Sequence, residues 1–200
     1  MRHYSKCYNR VMKTVYSLYS DSIEVKGSKF IAHLMPIAMY ESEMARLRLE
    51  HPKAVHWVSA SRSLNEFDQI VESAHDDGEP KGTSGKPTLA VLQGHELINA
   101  AIITVRYFGG TKLGPGGLVR AYADSANAAV GAAELSEYEK TYRQTFATEY
   151  KNVSIVEYEL TQNGVGCISK EFGATGAEFT VEATAERLEK LYSALGRLIS

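Results

Sequence analysis

The sequence predicts a mixed α+β protein built as two domains. Three observations predict it. Strand-like alternation and helix-like periodicity take turns along all 200 residues. An acidic, polar segment, Glu137-Tyr138-Glu139-Lys140, interrupts the pattern as a domain junction would. Beyond it the order β-α-β-β-α fits into about sixty residues, the plan of a ferredoxin-like half-open sandwich that one further strand would complete. The domains are therefore expected over residues 12–137 and 138–200, with residues 1–11 a disordered extension.

The elements follow in order. Met12 opens an alternating run through Val15, Tyr16, Leu18, Tyr19, Ile23 and Val25, so residues 15–24 are expected as a strand and Met12 as a candidate start. Phe30 to Ile37 is the next strand, with Gly27-Ser28 as the turn between them. Tyr40 to Glu50 has a helical period that puts Met44, Leu47 and Ala45 inward and Glu41, Glu43, Arg46 and Arg48 outward; His51-Pro52 stops it. Ala54 to Ser61 is a strand, and Leu64 to Ala74 a loop or short edge element. Pro87 sits in the first turn of a helix reaching Gly94, capped near Ser84 or Gly85. Ile98 to Tyr107 is an apolar, β-branched run, the signature of a strand buried on both faces. An alanine-rich helix is expected from Leu118 to Leu135.

In the second domain, strands are expected at 143–150, 166–171 and 177–183. Helices are expected at 151–162, with Val153, Ile155, Val156 and Leu160 inward, and at 184–199, with Leu188, Leu191, Leu195 and Leu198 inward.

Composition narrows the function. A net charge of −2 gives no global pull toward nucleic acid or an anionic membrane. Locally, residues 1–13 carry Arg2, Lys6, Arg10 and Lys13 and no acid, a basic arm if it is ordered. Two cysteines, Cys7 and Cys167, make neither a disulfide framework nor a zinc pattern, which fits reduced thiols and a cytoplasmic setting. No run approaches a membrane span, so no membrane partner is expected.

The chemistry concentrates between His75 and Tyr122. The first loop, residues 75–86, carries the acids Asp76, Asp77 and Glu79 and then the cations Lys81 and Lys86, stiffened by Pro80 and Pro87. The acids are read in two ways. They organise the loop with His75, by capping N–H groups or pairing with Arg106 or Lys112, or they hold Mg²⁺ for phosphoryl or nucleotide chemistry. The second loop, residues 109–117, contains Gly109, Gly110, Gly114, Gly116 and Gly117 around Lys112, with Arg106 and Arg120 on its flanks. Glycines let N–H groups converge on an anion, and a helix N-terminus adds positive potential. The same glycines also serve tight turns and close packing. Neither the P-loop pattern nor the dinucleotide fingerprint occurs here, nor does a nucleophile elbow or a His-Glu-x-x-His pair. No metal and no cofactor are expected. Trp57, the single tryptophan, stands beside His56 in a strand, as a partly buried core residue or a platform for a base.

Two long motifs carry a resemblance. Residues 75–87, His-Asp-Asp-Gly-Glu-Pro-Lys-Gly-Thr-Ser-Gly-Lys-Pro, resemble one signature of the IMPACT family in its bacterial branch. Residues 105–122, Val-Arg-Tyr-Phe-Gly-Gly-Thr-Lys-Leu-Gly-Pro-Gly-Gly-Leu-Val-Arg-Ala-Tyr, resemble the second, and Lys26-Gly27-Ser28-Lys29-Phe30-Ile31 resembles a shorter segment near the start of the family domain. The chain departs from the pattern at His56-Trp57-Val58-Ser59-Ala60, where the family places His-x-Cys-x-Ala, and at Ser84, where it places alanine. No thiol nucleophile can stand at position 58.

The resemblance implies an N-terminal domain like domain 2 of ribosomal protein S5 and a ferredoxin-like C-terminal domain like the last domain of elongation factor G. Eukaryotic members regulate translation by competing for the ribosome-associated activator of an initiation-factor kinase, a pathway bacteria lack. The implied function is a translation-associated regulator that binds RNA, the ribosome or a ribosomal partner, with no sequence readout of DNA. Some members are described as proline dipeptidases, for which these residues supply no metal-ligand set. Under the binding reading, Lys81, Lys86, Arg106, Lys112 and Arg120 contact the partner and Gly109, Gly110, Gly116 and Gly117 admit it. A metal-dependent phosphoryl-transfer enzyme is the alternative.

Overall fold

The structure is a computed structural model that describes residues 11–199. Arg2, Lys6 and Arg10 of the basic arm, Cys7 and all of the expected extension but Val11 lie outside the described residues, whereas Lys13, the arm's fourth cation, lies in a short strand. The chain divides into two compact units, residues 1–138 and 139–200.

The first unit is built on a five-stranded antiparallel sheet. Its strands are β2 (Tyr19–Val25), β3 (Ser28–Pro36), β4 (His56–Leu64), β5 (Ile70–His75) and β6 (Ala100–Tyr107), in the order β2-β3-β6-β4-β5. A two-residue ladder joins β1 (Lys13–Thr14) to β7 (Ser136–Glu137). Alternation along the strands sorts side chains to two faces. Phe30, Ala32 and Leu34 of β3 share a face with Val58 and Ala60 of β4 and with Ala100 and Ile102 of β6. That face packs under α2 (Gly85–Gly94) and α3 (Gly114–Gly131), through Leu92, Leu118, Ala121, Tyr122, Ala126 and Ala129. The alanines of α3 bring the helix close to the sheet. The opposite face, with Met35, Ala101, Ile103 and Val105, packs on Leu47 of α1 (Tyr40–Glu50). β6 is thus buried on both sides, as its composition required.

Several boundaries move. The expected 15–24 strand is broken: Val15 is buried, residues 16 and 17 bend, and β2 starts at Tyr19. The segment 64–74 resolves into the edge strand β5, after a loop whose Asn65 side chain accepts from the N–H groups of Phe67 and Gln69. In α1, Glu43 is buried because Arg46 holds its carboxylate at 2.6 and 2.9 Å, while Ala45 faces out. α3 begins at Gly114 rather than Leu118 and ends at Gly131 rather than Leu135. Pro115 fixes φ for a first helical turn and lacks the N–H that turn leaves idle.

The second unit runs β8 (Thr141–Glu149), α4 (Val153–Gln162), β9 (Gly166–Phe172), β10 (Gly176–Thr184) and α5 (Ala185–Leu195), with sheet order β8-β10-β9. This is the β-α-β-β-α plan. Its core holds Phe146, Phe179 and Val181 from the sheet against Val156, Leu160, Leu188, Leu191 and Leu195. Thr184 caps α5. Ile155 is exposed rather than inward, and Leu198 lies beyond the helix in a 3₁₀ turn. The expected additional strand is reduced, among the described residues, to one bridge between Ile199 and Thr148.

Candidate functional site

The first loop is a pair of turns tied to the sheet by its acids. Glu79 N–H donates to Asp76 C=O at 3.1 Å across a turn whose central residues, Asp77 and Gly78, have φ of +48° and +87°. Aspartate and glycine tolerate that left-handed region. The turn sends the three carboxylates in different directions. Asp76 accepts from the N–H groups of Gly82 (2.7 Å), Gly85 (2.9 Å) and Ser84 (3.2 Å) and from the Ser84 hydroxyl (2.7 Å). It therefore caps α2 from outside the helix. Burial alone would raise its pKa; those hydrogen bonds outweigh burial and hold the carboxyl below its usual range. Asp77 accepts from Trp57 N–H at 2.7 Å and from Arg48 at 3.1 Å.

Glu79 points inward, under α3. Its buried carboxylate pairs with Arg106 Nη1 and accepts from Tyr122 Oη at 2.7 Å. Burial, then the Glu79 hydrogen bond, pushes the Tyr122 hydroxyl well above its ordinary pKa. The Arg106 guanidinium lies over the rings of Phe30 and Phe108, at 5.3 and 5.9 Å, and Tyr122 meets Phe30 edge-on at 5.1 Å. His56 closes the network: Nδ1 donates to the Asp77 carbonyl at 2.7 Å, leaving Nε2 3.8 Å from Glu79.

These positions correct two expectations. Arg106 is 5% exposed and committed to Glu79, so it is an anchor of the loop and not part of an outer cationic surface. Asp76, Asp77 and Glu79 do not form a common oxygen cage. Each is turned to its own protein donors, and among the described residues no three His, Cys, Asp or Glu side chains are placed to hold a metal ion. His75 is exposed and meets the Ser73 hydroxyl at 2.9 Å.

The second loop is shorter than its sequence suggested, because Gly114, Gly116 and Gly117 belong to the first turn of α3. Its glycines serve different ends. A Cβ on Gly109 would stand 1.9 Å from the Gly27 carbonyl carbon, so Gly109 lets the loop lie against the β2–β3 turn, where its N–H meets Ser28 Oγ at 3.1 Å. A Cβ on Gly117 would come within 3.0 Å of Leu113 Cβ. Gly110 and Gly116 face open space. Among the described residues no side chain caps the α3 N-terminus.

Lys81, Lys86, Lys112 and Arg120 are all exposed, and among the described residues none makes a hydrogen bond or ion pair. Lys86, Pro87 and Ala90 of α2 face Val119, Ala123 and Asn127 of α3 across a groove of about 560 Å³, which also takes in Gly82. The first loop and α3 therefore share one surface. Sequence reasoning missed Tyr122, His56 and Phe108 as partners in the network. The available signal was Arg106 itself: a charge inside a strand buried on both faces requires a buried acid.

Fold and site together define a two-domain α+β protein with a rigid, cation-bearing loop surface over one end of a sheet. Residues 26–130 match the Impact N-terminal domain family model. The chain is 35% identical over 188 residues to an IMPACT family member of Haemophilus influenzae, covering 88% of this chain and 89% of that one. It is 36% identical over 160 residues to IMPACT family member YigZ of Escherichia coli, covering 76% of each. A crystal structure described as that of a hypothetical protein superposes with TM-score 0.62 at 29% identity, covering 92% of this chain and 90% of that one. The chain belongs to the IMPACT family. Among the described residues no helix is long and apolar enough to cross a membrane.

Proposed function

We propose that this protein is a cytoplasmic, translation-associated regulator that binds RNA of the translation machinery through the first loop, the α2–α3 groove and the start of α3. Lys81, Lys86, Lys112 and Arg120 are its phosphate contacts. One observation carries the reading: the structure separates charges that the sequence mixes. Counted along the chain, Asp76, Asp77, Glu79 and Glu96 nearly cancel the five cations from Lys81 to Arg120. In space, Asp76, Asp77 and Glu79 are tied to protein donors, while four of those cations stay outside without partners among the described residues. The surface is thereby more basic than its composition.

The two helix ends support the same reading. Asp76 occupies the α2 N-terminus, whereas the α3 N-terminus is uncapped, with open space at Gly116. Free N–H groups there favour an anion. The metal-dependent phosphoryl-transfer reading has no comparable support, since its carboxylates are already engaged.

The test is fluorescence anisotropy with single-stranded RNA and with ribosomal RNA fragments across a salt series. Affinity is expected to fall as salt rises. Replacing each contacting lysine by glutamine should reduce the slope of log affinity on log salt by about 0.7 on single-stranded RNA. Absence of salt-dependent binding at low ionic strength overturns the reading.

A further inference from the structure

On the other side of the Asp76–Asp77 turn, against α1, lies a second cleft of about 370 Å³. Tyr40, Met44, Arg48, Trp57, Ser59, His75, Asp76 and Asp77 line it. We propose that this cleft is a nucleobase site: it takes one unpaired base against Trp57, Tyr40 and Met44, with Arg48 at its mouth holding the phosphate. The inference deepens the function proposed above and rests on it for the source of the base, a single-stranded RNA. The shared chemistry, a nucleotide, also admits a free mononucleotide.

Four observations point to that ligand class. The volume falls within the range of small-ligand pockets, which run from about 300 to 1,000 Å³. The walls combine two aromatic rings and a thioether, and aromatic faces accept any base by stacking. The indole is set in advance: Trp57 Nε1 donates to Leu47 C=O at 3.2 Å, and its backbone N–H donates to Asp77 at 2.7 Å. Such fixing removes part of the ordering cost of binding. Arg48 covers the indole face, 4.9 Å from its centroid, with Nη2 on Asp77, and a stacking base displaces it toward the mouth of the cleft, where it meets the phosphate. Among the described residues its remaining N–H groups have no partner, and its side chain is half exposed, so they can reach a phosphate.

Polar groups for a base edge are present as well. Tyr40 Oη and Ser59 Oγ lie 2.9 Å apart and share one hydrogen bond, which leaves one hydroxyl proton to donate. The Asp77 carboxylate keeps spare lone pairs for an exocyclic amine. The cleft is formed on the face of the sheet opposite the Arg106–Glu79 network, so the two sites do not compete for side chains.

Trp57 is the only tryptophan in the chain, so intrinsic fluorescence reports this cleft directly. Full-length protein is titrated with short homopolymeric oligoribonucleotides, with an RNA duplex, and with nucleoside monophosphates, while anisotropy follows RNA binding in parallel. Saturable quenching by single strands, stronger than by duplex, is expected. Trp57→Leu should weaken single-strand affinity about tenfold, with Trp57→Phe recovering part of it. Arg48→Gln, at an exposed position, should reduce the salt slope by about 0.7. Quenching by monophosphates without RNA binding supports the cleft with a free nucleotide as its ligand, and overturns the RNA reading alone. Salt-dependent RNA binding with unchanged fluorescence, and wild-type affinity in Trp57→Leu and Arg48→Gln, overturns the cleft and leaves the RNA reading standing. Neither quenching nor binding overturns both.

Discussion

The two glycine-rich segments of the first unit look alike in sequence and behave differently in the fold. Residues 76–85 are closed: every acid is held by named donors and the α2 N-terminus is capped by Asp76. Residues 108–117 are pinned where Gly109 lies against the β2–β3 turn and where Leu113 packs on the core, and are open at Gly110 and Gly116, with a helix start that no side chain among the described residues caps. The closed segment provides rigidity and the open one provides access. A recognition surface needs both, because a rigid support lowers the ordering cost when a ligand binds.

The largest test of that contrast removes the closed segment's anchor. Glu79→Ala leaves Arg106 buried without its carboxylate, and breaking a buried ion pair from one side costs about 3–5 kcal/mol. Urea denaturation should show that loss. A double-mutant cycle with Tyr122→Phe should show coupling, since both side chains meet at one oxygen. A loss within the range of a surface substitution would mean that the loop is held by something other than this network.

The open segment makes a paired prediction. Gly109→Ala forces its Cβ into the Gly27 backbone and should cost about 3 kcal/mol. Gly116→Ala meets nothing within 4 Å and should be neutral, or stabilising by up to about 1 kcal/mol, because alanine favours the helix. Equal costs at the two positions would erase the distinction between pinned and open glycines. Thermal melts suffice to read both.

Acid separates the closed loop from the sheet beneath it. His33 in β3 is buried with neither ring nitrogen hydrogen-bonded. Burial, with Arg46 and His51 adding to it, lowers its pKa from 6.5 to about 4 against the weaker opposite pull of Glu43 and Glu50. The unfolded chain therefore takes up the proton first. Stability should fall as pH drops from 6.5 to about 4, by roughly 3 kcal/mol in all. His33→Leu should flatten that interval. Asp76 has its pKa lowered in the fold, so its contribution is complete above the unfolded value of 3.8 and is lost only as pH falls below it. At neutral pH, Asp76→Ala should cost about 2 kcal/mol, as loss of a helix cap does. Denaturation across pH for the wild type and both variants resolves the two stages.

The smallest stability effect belongs to the proposed contacts. Lys86→Gln and Lys112→Gln should change stability by less than about 0.5 kcal/mol, since neither lysine has a partner to lose among the described residues. Their expected effect lies wholly in the salt dependence of RNA affinity. A stability loss like that of Glu79→Ala would reassign them to the frame.

Much of the fold was legible because hydrophobic period is local information. α1 lies at Tyr40–Glu50 as its period indicated, and β6 is buried on both faces as its composition indicated. What misled were positions where one contact outweighs the pattern. Glu43 is buried because Arg46 reaches it, and α3 starts early because Pro115 favours a first turn over a loop. The site was legible as a place but not as a set of roles. Arg106 and Lys112 look equivalent as cations beside glycines; one is buried under Phe108 and the other is exposed.

The sequence by itself determined the family, the mixed α+β class and the charged, glycine-rich block from His75 to Tyr122. Those properties rest on residue identity, order and period. Only the tertiary structure decided which charges face one another and which face water. A carboxylate's role depends on the donors within about 3 Å of it, and Glu79 finds its donors on Arg106 and Tyr122, 27 and 43 residues away along the chain.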